Sequence, residues 1–207
     1  MCNRALLSFF LVLSFSTGLS GTEPIPCPLA KEGKALLKIT VAEKASPQTL
    51  PLASELAEYL SKISGAKFEV ATGDGSTGIV LGLPEDFTAL PIEVSFEKTP
   101  FTREQYLIRS TEKGLYLLGA TDLAVSHAVW DLLHRLGYRQ FFPGETWEYI
   151  PAIADLHIAV DTLEEPAFYA RNIWYNWGLW GYNNEPYRDW CRRNRMVKGF
   201  DLQSGHI

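Results

Sequence analysis

Glu145 and Glu148 are two acids three residues apart, just after Phe142-Pro143-Gly144. Paired carboxylates can supply the acid and the base or nucleophile for cleaving a glycosidic bond, but they must flank that bond at about 5 to 9.5 Å. Neighbours on one loop seldom meet that need, so the pair reads as loop residues and no catalytic residue is assigned. His127 and His134 bracket Trp130, and two imidazoles beside a large ring raise a ligand or acid–base reading. With Leu123 they share one helical face. The plainer reading is a face that packs against a following domain, the imidazoles being ordinary interface polar groups. Gly73-Asp74-Gly75-Ser76-Thr77-Gly78 satisfies G-x-G-x-x-G, yet a phosphate cradle needs its last glycine to open a helix. Here Ile79-Val80-Leu81 reads as a strand, so the glycines make a turn. Neither Cys27 nor Cys191 has a Cys or His neighbour at ligand spacing, so no metal is expected, and nothing requires an organic cofactor.

The elements that must position these residues centre on 104–142. Tyr106 and Ile108, then Leu115 and Leu117, alternate with period two on either side of Glu112-Lys113-Gly114, which predicts a hairpin. Thr121 caps a helix whose core stripe is Val125, Ala128, Val129, Leu132, Leu133 and Leu136, and Gly137 stops it. Upstream, a strand is expected over 36–42, with Leu37, Ile39 and Val41 on one face. A helix follows, with Leu52, Leu56, Tyr59, Leu60 and Ile63 inward, Glu58 and Lys62 paired outside, and Gly65 at its end. Either Pro47 or Pro51 suits its first position. Further strands are expected at 67–71, 78–81 and 92–96. The order β-α-β-β-(β)-β-β-α-β predicts an α+β fold, a mixed sheet with packed helices over 36–162.

Residues 1–20 carry one Arg4, an apolar run of about eleven residues and small residues at Gly18 and Ser20. That is a secretory signal peptide, too short to span a membrane. Export to the periplasm or the medium is expected, without a lipid anchor, since Cys27 lies too far from the cleavage point. Residues 21–35 read as an entry segment. Cys27 and Cys191 then remain in an oxidising compartment, to pair or to stay apart, and spacing alone does not bring them within bonding distance. The net charge of -5 excludes a basic footprint, and with it a nucleic-acid partner.

The order Glu104-x-Tyr106-x-Ile108, then Gly114-x-x-Leu117-x-Gly119-Ala120, then an apolar helix ending Leu136-Gly137-Tyr138-Arg139, carries a resemblance. It resembles the small domain before the catalytic barrel of family 20 β-N-acetylhexosaminidases and α-glucuronidases. With residues 142–148 added, it is most similar to a domain-of-unknown-function family of secreted, glycosidase-like proteins. The resemblance covers about 36–171, and its motifs are packing residues, which specify fold rather than reaction. It implies that 163–207 is the truncated start of a (β/α)8 barrel. Pro166-x-Phe168-x-x-Arg171 is similar to the family 20 entry into the first barrel strand, where the arginine grips sugar hydroxyls. This chain continues Asn172-Ile173-Trp174-Tyr175-Asn176-Trp177, where that family has a Gly and an apolar strand bearing an Asp. A salt-bridged structural arginine is the competing reading.

Arg171, Trp174 and Trp177 are thus the candidate sugar-binding residues, since flat rings stack on pyranose C–H faces while Arg bonds hydroxyls; burial against a following domain is the alternative for the rings. About forty residues follow Pro166, against about 250 in a complete barrel, so the sequence reads as an N-terminal fragment without the catalytic pair. The basic run Arg188, Arg192, Arg193, Arg195 and Lys198 reads as a solvated helix face. Two functional readings follow. One is the non-catalytic N-terminal portion of a secreted glycoside hydrolase acting on polysaccharides or glycans, with carbohydrate as its partner through the complete protein. The other is a non-catalytic secreted module that binds glycans or another protein.

Overall fold

The structure, a computed structural model, describes residues 23–97, 99–173 and 183–199. Its centre is a six-stranded mixed sheet. Strands β1 (Cys27–Lys31) and β2 (Lys34–Ala35) come first, and β1 lies between β2 and β10 (Leu156–Ile158) in a separate three-stranded sheet. The stretch expected as an entry segment therefore contributes Cys27, Leu29 and Ala30 to the main core. Strand β3 (Ile39–Val41), helix α1 (Thr49–Ser64), β4 (Val70–Thr72) and β5 (Gly78–Gly82) follow. Strands β3, β4 and β5 run parallel, with β3 between the other two. Next come β6 (Tyr106–Thr111), β7 (Gly114–Gly119) and α2 (Asp122–Arg135). The last elements are β8 (Arg139–Gln140), β9 (Glu148–Tyr149), β11 (Asp161–Glu164) and α3 (Asn184–Arg193).

The hairpin forms as its alternation predicts. Thr111 faces Gly114 in register, and Glu112 and Lys113 make the turn. Strand β7 lies inside the sheet, and layers packed on either side bury both of its faces. Leu115 and Leu117 meet α1 and α2, while Tyr116 and Leu118 meet Phe87 and the partly buried Ile92, Val94 and Phe96 on the other side. That second layer corrects one expectation: 92–96 forms no strand. Its apolar alternation instead serves a loop that covers the sheet. Gly78 and Gly114 are register partners across β5 and β7. A Cβ on Gly114 would lie 2.1 Å from the Gly78 carbonyl oxygen, so the final glycine of the G-x-G-x-x-G spacing marks close strand contact.

Both long helices obey local rules. The Thr121 hydroxyl accepts from the Ala124 amide at 3.3 Å, and the expected stripe of α2 is buried. Past the last turn, Gly137 and Tyr138 donate back to His134 and Leu133 at 3.0 Å each, the paired bonds of a Schellman stop. Helix α1 begins at Thr49, which puts Pro51 at its third position and neither proline at its first. An amide there has no intrahelical partner to lose. Ser46 ties the two helix starts together by donating to Asp122 at 2.7 Å.

Candidate functional site: an arginine–carboxylate seam

The second face of α2 meets the chain that follows β11. Trp130 is fully buried, with Tyr59 of α1 edge-on at 5.2 Å and Tyr138 at 5.4 Å. The short β8–β9 pair sets Glu148 opposite Gln140. One Glu148 oxygen accepts from the Tyr59 hydroxyl at 2.7 Å, the Tyr138 hydroxyl at 2.8 Å and Arg193 of α3 at 2.9 Å. Burial first, and then the bond to Glu148, pushes both phenols well above their usual range. The Arg193 guanidinium lies 5.3 Å from the Trp130 ring and 5.6 Å from the Tyr59 ring, within cation–π reach.

Three more pairs repeat the pattern. Asp131 takes Arg135 at 3.0 Å on one oxygen and Arg195 at 3.0 Å on the other. Glu55 of α1 receives Arg192 through two parallel bonds of 2.6 and 2.8 Å. Glu104, whose side chain is only 2% exposed, pairs with Arg171. Four arginines after residue 170 thus meet four carboxylates before residue 150. Such pairs contribute less net stability than their geometry suggests, and where the carboxylate is buried, as at Glu104, losing the arginine costs about 3 to 5 kcal/mol because a buried charge is stranded, whereas the part-exposed Arg192–Glu55 pair is worth less.

His127 lies inside this seam, 3.5 Å from Glu104 through Nδ1. The Glu104 charge is already matched by Arg171, so burial prevails, helped by the Arg171 and Arg195 charges, and the imidazole is pushed down to about 3. His134 stacks on Tyr138 at 5.9 Å, and burial with nearby Arg195 and Arg139 lowers it to about 4. Both rings are neutral at ordinary pH.

The sequence-derived candidates are placed as follows. Leu123 is 37% exposed, whereas His127 and Trp130 are buried under the residues of α3 and its flanks. That face is covered within this chain. Arg171 donates to Phe168 O at 2.6 Å and to Arg195 O at 3.1 and 2.9 Å besides holding Glu104. Trp174 and Trp177 lie outside the described residues. Past Pro166 the described residues contribute α3 and the antiparallel bridge between Arg171 and Val197, and the expected barrel start is not evident in them. The basic run is a solvated face only in part: Arg188 and Lys198 are exposed, whereas Arg192, Arg193 and Arg195 turn toward carboxylates and rings. Glu145 sits in a short 3-10 turn, Glu145–Trp147, while Glu148 is a partly buried hub.

Sequence reasoning named Glu104 only as a packing position of the hairpin motif and did not single out Asp131 or Glu55. The one local cue was Asp131, a charge set between Trp130 and Leu132 in an otherwise apolar stretch. A polar cleft of about 230 Å³ beside the seam is lined by Tyr106, His127, Glu164, Glu165, Arg171 and Arg195. Among the described residues no group of three or more His, Cys, Asp or Glu is placed to hold a metal ion. Cys27 and Cys191 are unpaired, and burial pushes the Cys27 thiol up to about 11. No described helix is long and apolar enough to cross a membrane.

No protein-family model matches the chain, and no curated protein matches it. Solved structures do. A family GH115 4-O-methyl-α-glucuronidase with specificity for decorated arabinogalactans is similar over 82% of this chain and 25% of its own, at 14% identity and a TM-score of 0.53. An N-acetyl-β-hexosaminidase of Streptomyces plicatus matches over 72% of this chain and 25% of its own, at 22% identity and a TM-score of 0.47. A GH20 β-N-acetylhexosaminidase of Streptomyces coelicolor A3(2) gives 72% and 26%, at 22% identity and 0.47. The chain therefore spans about a quarter of the length of these enzymes. The glucuronidase likeness concerns the fold, an α+β arrangement of mixed sheet and packed helices.

Proposed function

We propose that this chain is the N-terminal, non-catalytic portion of a secreted carbohydrate-active protein, a glycoside hydrolase acting on polysaccharides or glycans. Its α+β domain, 36–162, buttresses a barrel that begins in 163–207 and carries the chemistry. The observation behind this reading is the seam. The buried carboxylates Glu104 and Asp131 and the partly buried Glu148 each face an arginine from the following segment. Asp131 is bonded through both oxygens, Glu104 holds Arg171 and one Glu148 oxygen takes three donors, ties that suit a structural role better than protonating a leaving group or attacking a sugar carbon across a bound substrate. A face organised to grip the chain that follows it is what a supporting domain requires. Residues 142–148 support kinship with the secreted, glycosidase-like family of unknown function, and the leader at 1–20 sends the protein to the periplasm or beyond. Extending the reading frame tests the proposal. It expects at least about 200 further residues with barrel periodicity and two separated acids, and a downstream sequence without them refutes it.

A second reading, a secreted module that binds glycans or another protein, is favoured by one observation. Phe141, Phe142, Trp147 and Tyr149 are each more than half exposed on a single short segment, and exposed aromatic patches mark interaction surfaces. Retention of the chain on insoluble polysaccharide, lost in Trp147→Ala, supports this reading; equal passage of both proteins removes it.

A further inference from the structure

The surroundings of Arg193 are more specific than a salt bridge requires. Its guanidinium enters a box built from four separate elements: Tyr59 of α1, Trp130 of α2, Tyr138 and Gln140 at β8, and Glu148 of β9. Tyr59, Trp130, Tyr138 and Gln140 are all at most 5% exposed. Two rings present their π-faces at 5.3 and 5.6 Å, and three acceptors converge on one terminal nitrogen, Glu148 at 2.9 Å, Gln140 at 3.3 Å and the Tyr138 hydroxyl at 3.5 Å. Glu148 is itself oriented by two phenol hydroxyls. The two ring faces, rather than the three acceptors that meet a single nitrogen and leave the buried Arg193 Nε without a hydrogen bond, are what suit a planar, weakly hydrated cation better than a compact ammonium.

We infer that Tyr59, Trp130, Tyr138, Gln140 and Glu148 form a guanidinium receptor, whose ligand here is Arg193 of the same chain. The receptor belongs to the α+β domain, since each of its walls precedes residue 150, while its occupant belongs to α3. Occupancy clasps α3 onto the domain. With its own arginine removed, the receptor accepts an alkylguanidinium from solution.

Arg193→Ala empties the box, and Arg193→Met empties it while keeping the bulk of the side-chain stem, which guards against a variant that fails to fold. Each is measured for thermal midpoint and for proteolysis within 183–199, alone and with millimolar methylguanidinium chloride or methylammonium chloride at equal ionic strength. The expected result is a lowered midpoint and faster cleavage in the variants. Methylguanidinium restores both with a saturable dose dependence, methylammonium at least several-fold less well, and adding Glu148→Gln abolishes the rescue. Equal rescue by the two cations, rescue that survives Glu148→Gln, or no rescue in either variant overturns the receptor.

Discussion

Acidification should loosen this protein through His127. The sign follows from the two end states. In the unfolded chain the imidazole takes up a proton near pH 6.5, whereas in the folded chain, buried beside Arg171 and Arg195, it stays neutral down to about pH 3. Between those values the unfolded state binds more protons, so stability is fully present above about 6.5 and is lost as pH falls. The slope is about 1.4 kcal/mol per pH unit once the unfolded imidazole is charged, or about 2 kcal/mol by pH 5. His134, lowered to about 4, acts in the same direction. Urea denaturation at pH 7, 6, 5 and 4 measures the slope in the native protein and in His127→Gln, whose neutral side chain removes this one contribution. The variant should show the shallower dependence between pH 6.5 and 4. Parallel curves, or an NMR titration of His127 with a midpoint at 6 or above, would refute the reasoning.

Other outcomes follow from the packing. Leu132→Ala and Leu133→Ala, both fully buried, should each cost about 2 to 5 kcal/mol in chemical denaturation, and less than about 1 kcal/mol for both would mean the stripe of α2 is misassigned. Trp130→Ala should cost about 3 to 5 kcal/mol; an unchanged midpoint would mean that the ring does not fill the space between α1, α2 and α3. Gly114→Ala places a Cβ 2.1 Å from a carbonyl oxygen and should destabilise by at least about 1 to 3 kcal/mol, read as a loss of thermal midpoint, whereas Gly33→Ala, with open space around it, should lose less.

The α+β domain was legible because its signals are local. Period-two alternation gave the β6–β7 hairpin, the i, i+3, i+4 stripe gave α2, and Thr121 and Gly137 marked the ends of that helix. The strand expected at 92–96 failed because alternation reports one buried face and does not say whether a neighbouring strand supplies hydrogen bonds; Ile92, Val94 and Phe96 bury their side chains from a loop. Strand β1 was hidden by the prolines in and before it, and by a partner, β10, more than a hundred residues away. The seam was illegible for a related reason. Arg192 and Glu55 are 137 positions apart, and Arg171 and Glu104 are 67 apart. A basic run on an amphipathic helix looks alike whether it faces water or a row of buried acids, and only the fold of α1, α2 and β9 decides which.

The central claim, that this chain supports catalysis without performing it, is tested most directly by assaying the purified chain on a panel of aryl glycosides. Cleavage needs a positioned acid and a second carboxylate across the bond, while Glu148 is taken up by Tyr59, Tyr138 and Arg193. The account predicts release of the aryl group at the rate of the buffer control. Turnover clearly above that rate, abolished by Glu145→Gln or Glu148→Gln in a protein that remains folded, would contradict it.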